Sequence, residues 1–109
     1  METKIVKTVK EWLPWSLENE DRISEYSLLK KLADYCRQQI NGGEYEKANQ
    51  VIKIINLLYS GGTLHEKNAI ENEFLEVLAI EEAPSTLKTH MKFLPENLKE
   101  AYLKTILEN

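Results

Sequence analysis

The sequence predicts an all-α fold, a single compact bundle of five or six helices in antiparallel hairpins. Apolar residues recur at helical spacing in every segment, and no segment keeps the strict alternation that is typical of strands. Two glycine pairs and three prolines separate the segments: Gly42-Gly43, Gly61-Gly62, Pro14, Pro84 and Pro95. The 109 residues are 42% hydrophobic, which suits one helical domain over residues 1–109 with its own core.

The first predicted helix ends before Pro14, because a residue that precedes proline is displaced from helical backbone angles. We expect Trp12 to pack in the core, since it lies on the apolar face of this helix. That face is formed by residues at helical spacing: Ile5, Val9, Trp12 and Leu13.

The second predicted helix follows a polar loop at residues 18–22 and can be capped by Ser24 or Ser27. We expect it to stop at residues 41–43, where glycine allows a left-handed turn. The third helix then runs over residues 44–59. Because the connecting loop is short, these two helices are antiparallel neighbours.

The fourth predicted helix begins after Thr63, which can form a capping box with Glu66. Its core face carries four apolar residues: Ile70, Phe74, Val77 and Leu78. A break at Pro84 and Ser85 follows, and Ser85 can cap a short fifth helix with Leu87, Met91 and Leu94 on its apolar face. Pro95 is expected in the first turn of a sixth helix that ends near residue 107.

The net charge of −4 is concentrated in one part of the chain. Residues 63–83 contain six glutamates and one lysine, a local net charge of −5, whereas the other residues sum to +1. A solvated helix face explains such a run, and so does a docking surface for a basic protein, since complementary charge selects partners. We interpret Glu66, Asn72, Glu73 and Glu76 as the partner-binding residues of this helix.

Glu71 falls between Leu75 and Leu78 on the apolar arc of the same helix. Its carboxylate is therefore either partly desolvated or placed at the rim of the core beside a lysine, and the second arrangement is favoured. Trp15 is an additional partner-binding candidate, since tryptophan is enriched at interface hot spots.

Motifs for catalysis and metal binding do not emerge from the sequence. A helical di-iron site needs a Glu-x-x-His pair on each of two helices, and no such pair occurs. His65 and His90 are expected to be exposed polar residues, the latter because lysines flank it. Cys36 lies on an apolar face, where a thiol is inert. We therefore expect no enzyme activity, no metal and no cofactor.

Composition also limits the classes of partner and the location that we expect for this protein. An acidic chain with few clustered basic residues is a poor ligand for nucleic acid. The longest apolar run, residues 77–80, is far shorter than a membrane helix, and no secretory pattern opens the chain. A single cysteine excludes an intrachain disulfide. We expect a cytoplasmic protein that contacts neither nucleic acid nor membrane.

The motif Asn72-Glu73-Phe74-Leu75-Glu76-x-Leu78 follows a helical hairpin and a Ser-Gly-Gly loop and precedes a Leu-Pro-bearing helix. This order, over residues 26–107, resembles a family of small bacterial all-helical domains of unknown function. Some of its members look like immunity proteins or like neighbours of polymorphic toxin systems. The resemblance implies a bacterial interaction protein and supplies no catalytic residues.

Our leading hypothesis is a non-enzymatic protein-binding module, immunity-like, that masks a basic partner with the acidic helix. Two alternatives stay open at this point. One is a structural homo-oligomer, such as a homodimer that buries an apolar face near Trp15 and the last helix. The other is an enzyme or small-ligand carrier with a pocket between helices.

Overall fold

A computed structural model describes residues 3–13, 24–79 and 84–108, without the side chains of residues 84–87 and 108. These ranges contain six helices and no strand, which confirms the all-α prediction. Five of the helices are regular: α1 (Lys4–Trp12), α2 (Glu25–Asn41), α3 (Tyr45–Ser60), α5 (Pro84–Phe93) and α6 (Glu96–Glu108).

Helix α4 follows α3 and consists of three consecutive stretches, Leu64–Ile70, Glu71–Leu75 and Glu76–Ala79. The middle stretch is a π-helical turn, in which the Glu76 N–H donates to the Glu71 carbonyl five residues earlier. Such turns are rare and often lie at functional sites. The sequence pattern indicates the helix but not this wide turn.

Side-chain caps fix the starts of three helices. Thr3 Oγ1 accepts from the Val6 N–H at 3.3 Å and caps α1. Of the two serines expected at α2, Ser24 is the cap, since its Oγ accepts from the Ser27 N–H at 3.1 Å. The predicted capping box of α4 is confirmed: Thr63 Oγ1 accepts from the Glu66 N–H, and Glu66 Oε1 accepts from the Thr63 N–H at 2.8 Å.

The turn after α2 has the left-handed residue that the sequence predicts. Gly43 has a φ of 79°, and its N–H donates to the Ile40 carbonyl. The Glu44 N–H donates to the Gln39 carbonyl at 2.8 Å. These two bonds form a Schellman motif, which satisfies the last carbonyls of α2 and turns the chain into α3.

The turn after α3 depends on glycine for a different reason, which is space. A Cβ at Gly62 would lie 2.6 Å from the Leu58 carbonyl oxygen and 3.2 Å from the Glu66 Cβ. A Cβ at Gly61 would lie 3.5 Å from the Leu57 oxygen, an ordinary contact.

We therefore expect Gly62→Ala to lower the free energy of unfolding by about 1–3 kcal/mol, because backbone must move to admit the methyl group. Gly61→Ala is the matched control and should change stability by less than about 1 kcal/mol in either direction. Urea unfolding followed by circular dichroism measures both. Equal losses in the two variants would contradict the close approach at Gly62.

The core forms where α2, α3, α4 and α6 meet, with α1 packed against α2 and α3. Its largest fully buried side chains come from these five helices and include Ile5, Leu28, Leu32, Ile55, Phe74, Leu75, Leu98 and Tyr102. The Cα radius of gyration is 13.0 Å, which is the size expected of a folded chain of this length.

The prediction that Trp12 packs in the core is wrong, since its side chain is 61% exposed. The buried residues of α1 are Ile5, Val6 and Val9, so the core face is rotated toward Val6. Trp12 is the last residue of α1 and lies at the edge of that face. Leu13, which follows the helix, is buried instead.

The prediction that His90 is exposed is also wrong, since His90 is fully buried and its Nδ1 lies 2.9 Å from the Tyr102 hydroxyl. The flanking Lys88 and Lys92 are exposed. Residues two apart on a helix point about 200° from each other. Exposed lysines on either side therefore indicate a buried residue between them.

Two boundaries also differ from the prediction. Helix α5 begins at Pro84, before Ser85, and helix α6 begins at Glu96, after Pro95. Pro95 is thus the residue before the helix, and its carbonyl accepts from the Lys99 N–H at 2.8 Å. The predicted loop at 18–22 and the side chains of Ser85 and Leu87 lie outside the described residues.

Candidate functional site

Helix α4 contributes to two surfaces, and the first is its outer face. We use this name for four exposed residues spaced by four along the helix: Leu64, Asn68, Asn72 and Glu76. Leu64, at the start of the face, is 76% exposed. The outer face is thus apolar at one end and acidic at the other.

The structure separates the predicted partner-binding residues. Asn72 and Glu76 lie on the outer face. Glu66 is partly buried in the capping box. Glu73 is only 24% exposed, and its Oε2 lies 3.2 Å from Lys30 Nζ of α2. Trp15 lies outside the described residues.

The second surface is a half-open cleft between α3, α4 and α6, which we call the Tyr59 cleft. Its volume is about 340 Å³. Its walls come from eight residues of the three helices: Tyr59, Ser60, Lys67, Glu71, Asn97, Glu100, Ala101 and Lys104. Seven of these eight side chains are polar, which distinguishes the cleft from the apolar core beside it.

Glu71 is the most constrained acidic group of the cleft. Its side chain is 17% exposed, Oε2 accepts from the Tyr59 hydroxyl at 2.7 Å, and Oε1 lies 3.8 Å from Lys104 Nζ. The expected placement at the core rim beside a lysine is thereby confirmed. Glu71 opens the π-helical turn, so the widened backbone starts at the residue that joins the three helices.

Tyr59 supplies a neutral donor to this carboxylate. Burial, followed by the hydrogen bond to Glu71 and the negative charges of Glu71 and Glu100, raises the pKa of Tyr59 to about 12. The phenol therefore keeps its proton at neutral pH. Lys67 Nζ lies 5.6 Å from the centre of the Tyr59 ring, a cation–π distance.

The other edge of the cleft is closed by a bond between α6 and the end of α3. Asn97 Nδ2 donates to Ser60 Oγ at 3.1 Å. The walls are thus connected by direct contacts between side chains of different helices. Such contacts hold the donors and acceptors of the cleft in fixed positions.

Of the charged residues in the cleft, Glu71 alone was predicted from the sequence to have a specific kind of partner, a lysine. Tyr59 and Lys104 are not among the predicted site residues. No local signal marks either of them, because they meet Glu71 only through helix packing.

A separate polar contact joins the starts of α2 and α4. Glu25 is buried, and its Oε1 lies 3.3 Å from His65 Nε2. This oxygen has no hydrogen-bond partner within the described residues. His65 itself is exposed, as predicted.

Cys36 is fully buried, as its apolar face predicts, with Sγ 3.9 Å from the Ala48 carbonyl oxygen. Burial raises the pKa of this thiol to about 12. A protonated thiol is a poor nucleophile.

We expect the free energy of unfolding to fall as the pH rises from about 9 to 12. Both Cys36 and Tyr59 hold their protons more tightly when folded, so their stabilisation is complete below the unfolded pKa values and is lost as pH approaches the folded ones. Urea titrations at several pH values measure this slope. Tyr59→Phe should flatten it above pH 10, and an unchanged slope in that variant would contradict the assignment.

No group of three or more His, Cys, Asp or Glu residues that could hold a metal ion occurs within the described ranges. Across the same ranges, no helix combines the length and the apolar content that crossing a membrane requires.

The fold and the cleft define a small all-helical domain with a polar interhelical surface. The chain belongs to the DUF7674 family, a domain family of unknown function whose model matches residues 3–108. Neither the curated proteins nor the solved structures contain a match to this chain.

Proposed function

We propose that this DUF7674 domain is a non-enzymatic protein-binding module whose outer face of α4 docks on a basic protein surface. The observation that carries the proposal is the exposure of Glu76, and of part of Glu73 beside it, within the most acidic segment of the chain. The segment with the local charge of −5 contains α4, and this helix leaves Asn72 and Glu76 exposed on its outer face. A basic partner is the occupant that this charge favours.

Glu73 contributes at the edge of the same surface. Its pair with Lys30 keeps the carboxylate extended toward α2, with part of the side chain still accessible. Because the Lys30 side chain is 58% exposed, solvent screens the pair and its contribution is on the order of 1 kcal/mol, so a partner's lysine or arginine can replace Lys30 at little cost. Leu64 gives the docking surface an apolar end that burial would stabilise.

The proposed mechanism is masking. The carboxylates of Glu73 and Glu76 attract the basic surface over long range, and the outer face then covers it sterically. A domain that neutralises a basic partner in this way, in the bacterial cytoplasm, would be immunity-like. The support is the placement of charge on α4 together with the resemblance of its motif.

The test begins with a photo-crosslinker at position 72 of the full chain, which identifies the protein that sits on the outer face. Binding of that purified protein is then measured at low and high salt. We expect Glu73→Lys with Glu76→Lys to weaken binding at least about tenfold, a loss of roughly 1.4 kcal/mol. Wild-type affinity should also fall as salt rises.

The matched control is Glu44→Lys with Glu46→Lys, which changes net charge equally at exposed positions near the start of α3. It should leave affinity within about threefold of wild type. Salt-independent binding that ignores the α4 substitutions would refute the proposal. A second copy of the chain as the crosslinked species would support the homodimer instead, and sedimentation at several concentrations would verify it.

A further inference from the structure

The Tyr59 cleft has a composition that the proposed docking surface does not explain. Asn72 and Glu76 of the outer face take no part in its walls. Its lysines Lys67 and Lys104 balance its glutamates Glu71 and Glu100. A basic protein surface would meet two lysines here, so the cleft suits a different ligand.

We propose that the Tyr59 cleft binds a small zwitterion, specifically a free α-amino acid. A ligand with only a carboxylate would approach two glutamates, and one with only an ammonium would approach two lysines. A ligand that carries both charges can meet a group of opposite sign with each. The charge balance of the cleft therefore selects for a molecule with both.

The existing contacts indicate which groups remain available to the ligand. Glu71 already accepts from the Tyr59 hydroxyl and lies near Lys104. Within the described residues, the Lys67 ammonium lies over the face of the Tyr59 ring. We assign the ligand carboxylate to Lys67 and the ligand ammonium to Glu100, an exposed residue one turn from Lys104.

Neutral polar groups at the edge of the Tyr59 cleft can also contact the ligand. Ser60 and Asn97 are exposed, and Asn97 Nδ2 donates to Ser60 Oγ. The side-chain oxygen of Asn97, Oδ1, can therefore still accept a hydrogen bond from a ligand. The cleft is half-open and has a volume of about 340 Å³. An amino acid with its side chain fits this space, and pockets of this size are at the small end for ligand sites.

The inference is tested by adding each standard L-amino acid singly to the full ¹⁵N-labelled chain and following amide shifts. We expect at least one to bind with a Kd below about 5 mM and to shift amides of cleft residues. Its N-acetyl derivative lacks the ammonium, and its α-carboxamide lacks the carboxylate. Each should bind at least about tenfold more weakly, the effect of losing one charged contact.

Two substitutions test the assigned partners against matched controls. Lys67→Met and Glu100→Gln should each weaken binding at least about fivefold. Lys53→Met on α3 and Glu96→Gln on α6 change exposed residues outside the cleft and should leave affinity unchanged. Protection of Cys36 from a thiol reagent verifies that every variant is folded.

Three results would overturn the inference. The first is the absence of amide shifts in the cleft when each amino acid is added at about 5 mM. The second is equal or tighter binding of the N-acetyl derivative, which would make the cleft an anion site. The third is equal losses in the control variants. None of these results bears on the crosslinking test of the outer face, so the two proposals fail independently.

Discussion

Phe74→Ala lowers the free energy of unfolding by about 3–5 kcal/mol, the largest loss that we expect from a single substitution. Phe74 is fully buried in the π-helical turn of α4, between α2 and α6. Truncation removes the transfer free energy of the ring and leaves a cavity that the surrounding helices close only in part. The whole domain has roughly 5–15 kcal/mol of stability, so this loss is a large fraction.

Trp12→Ala is the matched control, since it removes an even larger aromatic ring from an exposed position. We expect it to change stability by less than about 1 kcal/mol. Urea unfolding curves give the midpoint of each variant. Where the slopes are equal, a difference in midpoint is a difference in stability. A loss for Trp12→Ala comparable to that for Phe74→Ala would contradict the exposed placement of Trp12.

These two aromatic residues show where sequence periodicity suffices and where it does not. Phe74 lies in the middle of its apolar stripe, and its burial follows from the pattern. Trp12 lies at the end of a short helix, where a small rotation of the core face decides burial. That rotation depends on how α1 packs on α2 and α3, and the spacing of apolar residues along α1 does not determine this packing.

The starts of α2 and α4 were predictable for a related reason. A cap is a local hydrogen bond between residues three apart, so Ser24 and Thr63 are visible in the sequence. The burial of His90 could also have been inferred, from the exposed lysines two residues to either side. The contact of His90 with Tyr102 could not, since it joins two helices.

The cleft was predictable only in part. The position of Glu71 on an apolar arc indicates that it needs a partner. Which partners it has depends on α3 and α6 meeting α4, and hence on tertiary packing. The π-helical turn is hidden for another reason: Ile70, Phe74 and Leu78 fit a regular helix equally well, so one extra residue leaves no mark on the pattern.

Deletion of Asn72 provides the sharpest test of that turn. A π-helical turn holds about one residue more than an α-helical turn, so removing an exposed residue from it restores a regular helix. The side chains before and after the turn keep their directions. We expect the variant to unfold cooperatively, with a loss of about 1–3 kcal/mol from repacking around Phe74 and Leu75.

Deletion of Asn68 is the matched control, because Asn68 is also exposed on α4 but lies in its regular first stretch. Here the helix has no surplus residue, and every later side chain rotates by about 100°. Ile70, Leu75 and Leu78 then leave the core, and each costs roughly 1.5–3 kcal/mol of burial. We expect this chain to lose its cooperative unfolding transition and to expose Cys36 to thiol reagents. If both deletions unfold the protein equally, Asn72 does not occupy a surplus position in α4.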